Sequence, residues 1–319
     1  MVKTTVKSWI AYAAETAYAS GSSATTLAMT KAADSVSDLV SYELPVNGST
    51  ITLPYVKIKR EVVREIGGNQ YKKEILGGAF DIVNGDIETY IQTDMSVSMA
   101  LSATIGAIPD SIMFHWETHT SGTTTDVARL ESYGCISGKY TLNLKTDELP
   151  THQTEWKPFG MKMALSGTTP VLSTTQVAFI VTQPITNNEF SITLKGGTST
   201  TTTIADNVID LKLVIENTYY DKPEVGDYGV KTPYLEKREV TVDLEFLADP
   251  QDIYLQNGRY ISELITNIGM VLSCTGWTTI TTTNMYVESS DQPQQMPQPG
   301  IWKYKMTLKD GEAFTIGKS

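Results

Sequence analysis

An alternation of apolar and polar side chains between residues 131 and 163 constrains this chain most. Ile136, Tyr140, Leu142 and Leu144 fall two or four positions apart, the period of a strand that buries one face and wets the other. Asp147-Glu148-Leu149-Pro150 follows. Pro150 cannot donate to a sheet ladder and the two carboxylates favour water, so the strand ends there in a turn. A second apolar run over residues 155–165 carries Trp156, Phe159, Met161, Met163 and Leu165, with Pro158 near its start. That proline predicts a sheet edge or a bulge. A strand, a turn and a returning strand are not stable by themselves, so further strands must close a core around them.

The 319 residues allow one large or two ordinary domains, and 40% hydrophobic content suffices for a sizeable core. Prominent Thr, Ser, Val, Tyr and Ile are strand-forming usage. The net charge of -11 argues against non-specific attraction to nucleic acid, which needs a basic surface. Two cysteines, Cys135 and Cys274, are too few for a disulfide framework or a zinc site and are expected to be small buried hydrophobes. No apolar run is long enough to span a bilayer, so no membrane insertion is expected. The first residues lack the apolar core of a signal peptide, which predicts a chain made and kept, at least initially, in the cytoplasm.

Along the chain, Val40, Tyr42, Leu44 and Val46 alternate, Asn47-Gly48 forms a turn signal, and Ile51, Leu53 and Tyr55 alternate again, predicting a hairpin. Residues 55–76 hold Lys57, Lys59, Arg60, Arg64, Lys72 and Lys73 around a Gly67-Gly68-Asn69 turn. Two basic arms with few apolar residues read as a projecting hairpin; one reading is a solvated surface ribbon that touches nothing. Residues 85–91 read as a strand. Thr93-Asp94 is an N-cap signal, and Val97, Leu101, Ile105 and Ile108 follow at helical spacing, with Gly106 and Pro109 marking the end. Residues 166–203 are rich in Thr and Ser, and residues 198–203 read as a loop or strand edge. The division into units is placed between 1–167 and 168–319.

The second half reads as a repeat of the first. Residues 209–215 alternate as a strand, residues 217–232 read as a long loop, and residues 237–246 form another strand. Ala248-Asp249-Pro250 caps an expected helix, and residues 301–306 close the unit as residues 155–161 close the first.

The catalytic inventory is poor. His115, Glu117 and His119 sit at alternate strand positions and are the one constellation that could chelate a metal. They lack the adjacent His-Glu on a helix of a zinc protease, so half-exposed strand histidines are expected. His152 is placed in a turn. No phosphate loop and no nucleophile elbow are present, and no cofactor is expected. Tyr219-Tyr220 with Asp221 could form a sugar-binding aromatic surface, or pack on a neighbouring subunit.

Several of these features, in this order, resemble the tail tube (major tail) proteins of long-tailed viruses of bacteria or archaea. They are Glu15-Thr16, Tyr18 and Gly21 near the start, the charged hairpin, the strand leading into a helix, and Gly134-Cys135 opening an alternating strand pair. The resemblance implies a mostly β fold of two tandem tail-tube-like β-sandwich or barrel units, each with one flanking helix. It implies a non-enzymatic virion protein, assembled in the host cytoplasm, that polymerises as stacked rings into a hollow tube for DNA delivery. The ring would be a trimer with pseudo-sixfold symmetry or a hexamer, around a tape-measure protein, ended by tail terminator and tail-tip proteins. In the family a hairpin at residues 55–76 contacts the next ring or subunit. An acidic or neutral lumen would let DNA pass without specific binding, and its expected lining is Asp86, Glu88, Asp243 and Glu245. A carbohydrate-binding β-sandwich adhesin is the alternative, and a β-rich hydrolase a weaker rival.

Overall fold

The structure is a computed structural model. It describes residues 5–15, 17–19, 51–64, 72–92, 94–120, 127–164, 184–196, 202–205, 208–220, 232–248, 268–291 and 302–319. The fold is mostly β. The strands are β1 (Thr5–Ala14), β2 (Ile51–Thr52), β3 (Tyr55–Arg64), β4 (Lys72–Val83), β5 (Gly85–Tyr90), β6 (Ile112–Thr120), β7 (Val127–Lys145) and β8 (Thr151–Lys157). They continue with β9 (Gly160–Ala164), β10 (Phe190–Gly196), β11 (Thr202–Ala205), β12 (Val208–Tyr220), β13 (Tyr234–Ala248), β14 (Ile268–Cys274), β15 (Ile280–Asp291) and β16 (Trp302–Lys318). Among the described residues one α-helix, α1 (Met95–Ala100), follows β5.

Fourteen strands form one antiparallel sheet in the order β11-β10-β14-β15-β16-β13-β12-β7-β8-β5-β2, with β1, β6 and β9 attached through β7; β3 and β4 form a separate two-stranded ribbon. The alternation that opened the sequence reading lies on β7, where Ile136, Tyr140, Leu142 and Leu144 are all buried. Leu211, Leu213 and Ile215 of β12 pair in register with Leu144, Leu142 and Tyr140. Val240, Val242 and Leu244 continue the same row on β13. Residues from β10, β14 and β15 share one buried cluster with these, so the sheet curls over its own apolar face. Each fully buried Leu or Ile side chain there contributes roughly 1.5–3 kcal/mol relative to exposure. Both cysteines are free and buried.

β7 serves two neighbourhoods. Its first half pairs with β6 and β9, and its second half with β12 and β8. Pairing of β7 with β12 joins the two halves of the chain edge to edge. The division near residue 167, the Asn47-Gly48 turn and the helix expected after Asp249-Pro250 fall outside the described residues.

Three local expectations are corrected. The helix stops at Ala100 rather than near Ile108, and Ile105 and Ile108 are exposed. The stop has a tertiary cause. Arg238 Nη2 donates to the carbonyls of Ala100 (3.1 Å) and Ala103 (2.7 Å), and Asn217 Nδ2 donates to that of Ala100 (2.9 Å). These donors satisfy helix-end carbonyls that a continued helix would have used itself. His152 lies within β8, not in a turn; it is buried with Nδ1 3.3 Å from Tyr140 Oη. Asn217 to Tyr220 extend β12 rather than opening a loop. The returning run is split as Pro158 predicts: β8 ends at Lys157 and β9 starts at Gly160, pairing with the other half of β7.

Candidate functional site

The face of the sheet opposite the core is polar and open. Because directly paired residues share a face, the register places its members. Asp86 pairs with Glu155, Glu155 with Lys139, Lys139 with Glu216, and Glu216 with Glu239. One row along, Glu88 pairs with Gln153, Gln153 with Thr141, Thr141 with Val214, and Val214 with Thr241. Two further rows read Asn143, Lys212, Asp243, Thr307 and Lys145, Asp210, Glu245, Lys305. The four carboxylates singled out in the two halves of the sequence therefore lie on one face of one sheet.

Hydrogen bonds hold them. Asp86 accepts from Gln153 Nε2 at 2.8 and 2.9 Å, and Asp243 accepts from Thr307 Oγ1 at 2.7 Å. Lys305 Nζ lies 3.7 Å from Glu245, and Lys139 Nζ lies 2.5 Å from Glu216. Asp243 and Glu245 line a shallow depression of about 350 Å³ with Asp210, Lys212 and Lys305. Sequence reasoning missed Glu155, Glu216, Asp210 and the interleaved lysines, although each alternates with a buried residue on its strand. Surface ion pairs of this kind contribute little stability; their role here is to set the charge of the face.

The six basic residues fall on β3 and β4 or beside them. Arg64 stands opposite Lys72, Val63 opposite Lys73, Arg60 opposite Leu76 and Lys57 opposite Asp81, with a register shift around Lys59. Like charges directly opposite on a ribbon are unfavourable. The ribbon leaves the sheet just after β2, and the carbonyl of Pro54 at its root accepts from Ser132 Oγ.

Two segments distant in sequence meet at Gly134. Glu15 Oε2 accepts from the Gly134 amide at 2.7 Å and from Ser111 Oγ at 2.6 Å. Gly134 has φ +62, and a Cβ there would lie 2.5 Å from Phe159 Cβ. Tyr18 packs edge-on against Phe159 at 5.9 Å. Burial, with the nearby Cys135 and Glu15, pushes the Tyr18 phenol far above its ordinary pKa, and burial does the same to the Cys135 thiol.

His115, Glu117 and His119 do alternate on β6, opposite Glu131, Arg129 and Val127 of β7; their side chains lie outside the described ones. Among the described residues no group of three His, Cys, Asp or Glu could hold a metal. Tyr219 is buried and donates to the Ser137 carbonyl at 3.0 Å, so it takes no part in a surface. Burial raises its pKa to about 12, against the lowering effect of Arg238. Tyr220 is exposed and stands opposite exposed Tyr234. Among the described residues no helix is long and apolar enough to cross a membrane.

No protein-family profile matches the chain, and no curated protein matches it. Among solved structures it is similar to one described as the cryo-EM structure of the anti-feeding prophage cap (AFP tube terminating cap). The identity is 16% and the TM-score 0.30, over 46% of this chain and 100% of that one. A likeness at this TM-score establishes neither a shared fold nor a shared role.

Proposed function

We propose that this chain is a non-catalytic structural subunit of a virus-like tail, whose copies form stacked rings around a lumen that passes DNA. The observation that carries the reading is the wide polar sheet face. Asp86, Glu88, Asp243 and Glu245 lie on it together, and the reverse side of β7, β12 and β13 carries buried core residues. A polyanion moving along such a wall meets mixed charge with an acidic excess, and carboxylates repel it within a Debye length of about 8 Å at physiological salt. Edge pairing between copies would extend the face into a closed wall. Among the described residues the sheet order ends in strands of two and four residues, β2 and β11, short edges that a neighbour could cover. The edge-to-edge union of the two halves through β7 and β12 supports three chains per ring, each supplying two units, over six chains.

The basic ribbon is assigned to contacts between rings or subunits. Arg64 opposite Lys72 gains from an acidic partner that neither strand supplies at that position. A tape-measure protein inside the tube and terminator and tip proteins at its ends follow from the tail reading. Negative-stain microscopy of the purified protein tests it: rings or tubes with a central hole are expected, with threefold symmetry of whole chains. Monodisperse particles without a hole at all concentrations would remove the reading. The exposed Tyr220 and Tyr234 pair favours one alternative, a carbohydrate-binding adhesin, which retention on a glycan array would support.

A further inference from the structure

The basic ribbon continues the main sheet in register. β2 and β5 pair as Ile51 with Ile87 and Thr52 with Asp86, and β3 and β4 then pair as Tyr55 with Val83 and Val56 with Ile82. Three residues forward on one strand match three residues back on the other, so the register is unchanged across the gap. β2–β3 and β4–β5 therefore form one long hairpin. Its foot is paired into the sheet, and beyond the foot, among the described residues, β3 and β4 pair with each other alone. Between the two parts the ladder lapses, at Leu53-Pro54 on one strand and at Asn84 opposite.

The lapse has its cause in the residue types. Pro54 has no N–H to give to a ladder. Its carbonyl bonds instead to another element, accepting from the buried Ser132 Oγ of β7. At the position across from it, Asn84 Nδ2 donates to Glu155 Oε1 of β8. Gly85 closes the corner. A Cβ there would lie 2.4 Å from Pro54 Cδ, 2.5 Å from Pro54 N and 2.8 Å from Thr52 O. Those are overlaps, so a residue without a Cβ is needed for the strands to approach this closely. Pro54, Val56 and Gly85 are buried, and β3 passes beside β9. An isolated two-stranded hairpin is marginal in water; this one is gripped at its foot by β5, β7 and β8.

We infer that this corner aims the ribbon: it is a fixed bracket, and Gly85 and Ser132 are positioning residues for the contact the ribbon makes with a second copy. The inference rests on the reading of the ribbon as a contact between rings or subunits. Leverage makes the corner decisive. β3 runs ten residues from Tyr55, roughly 33 Å at strand rise. A tilt of about 10° at the corner moves the far end by about 6 Å, more than the spacing of neighbouring strands. A contact at that end survives only while the corner keeps its angle. A foot already fixed in the free chain also lowers the ordering cost of docking. Neither Gly85 nor Ser132 needs to touch the neighbour to act in this way.

Spin labels on Glu74→Cys in the ribbon and Thr218→Cys at an exposed position of β12 measure the angle, at concentrations below assembly. The native Cys135 and Cys274 are buried and stay unlabelled. Double electron–electron resonance should give one narrow distance; a broad distribution would overturn the fixed corner. Adding Gly85→Ala should shift that distance. Adding Ser132→Ala, which inserts no atom, should broaden it while circular dichroism stays unchanged, and this variant decides the matter where Gly85→Ala fails to fold. A distance unmoved and equally narrow in both variants overturns the assignment. In unlabelled protein, a variant with a displaced ribbon should need a roughly tenfold higher concentration to polymerise. Polymerisation of that variant at the wild-type concentration would overturn the positioning role. A wild-type chain that never assembles would remove the stacked-ring reading, while a narrow distance in it would still uphold the fixed corner.

Discussion

Replacing Asn217 by alanine should destabilise the fold by about 3 kcal/mol. Asn217 is 8% exposed and ties three elements together. Its Nδ2 donates to the carbonyls of Ala100 at 2.9 Å and Ser137 at 3.2 Å, and its Oδ1 accepts from Arg238 Nε at 2.9 Å. The two carbonyls keep other donors, Arg238 Nη2 and Tyr219 Oη, so their loss is partial. Arg238 Nε loses its acceptor in a site where burial already lowers the guanidinium pKa. Two neutral hydrogen bonds at about 1 kcal/mol each and one to a charged donor at about 1.5 kcal/mol sum to about 3.5 kcal/mol, and the donors that the two carbonyls keep bring the loss to about 3 kcal/mol. With 319 residues and about 2.1 cal/mol/K of unfolding entropy per residue, the loss lowers Tm by roughly 4–5 °C for a single transition. Scanning calorimetry of Asn217→Ala beside Thr218→Ala, its exposed neighbour, measures it. A shift under 1 °C, or equal shifts in the two variants, would show that the network contributes nothing.

Gly134→Ala should cost at least about 3 kcal/mol, from a left-handed φ of +62 and contacts at 2.5 Å to Phe159 Cβ and 2.9 Å to Ala19 Cβ; a urea midpoint within error of wild type refutes this. Alkaline stability should fall through a defined window. Burial raises Cys274 from 9.0 to about 11 and Tyr219 from 10.0 to about 12. The folded state therefore holds these protons to higher pH, and their contribution is full below pH 9 and lost between pH 9 and 12. Urea midpoints that rise over that interval contradict the assignment. Wild-type polymer should retain no duplex DNA at 0.15 M salt, roughly physiological ionic strength, whereas Lys at positions 86, 88, 243 and 245 together should confer salt-sensitive retention. Retention by the wild type defeats the proposed lumen.

What the sequence could disclose was what depends on neighbours along the chain. The alternation in β7, β12 and β13 is visible because each buries one face against apolar partners. β8 escaped notice at its start because its inward residues before Trp156 are His152 and Thr154, both polar, so hydrophobic period vanishes while burial remains. The end of α1 was misplaced because Val97, Leu101, Ile105 and Ile108 keep helical spacing. What ends the helix is Arg238 and Asn217, more than a hundred residues away. The polar face was half legible. Four carboxylates could be proposed from their strands, but their common face depends on the pairing of β7 with β12, which no local pattern encodes.

That pairing also sets a clock for synthesis. β7 leaves the ribosome about sixty residues before β12 begins, which at 5–20 residues per second is roughly 3–12 s. During that interval β8 can fold back on one side of β7, while the other side presents an unclaimed row of amides and carbonyls beside Tyr140, Leu142 and Leu144. Two nascent copies on neighbouring ribosomes hold the same open row at the same moment. Slower translation lengthens the exposure and denser polysomes multiply the encounters, so yield of correctly folded chain should depend on expression rate before it depends on the stability of the finished sheet.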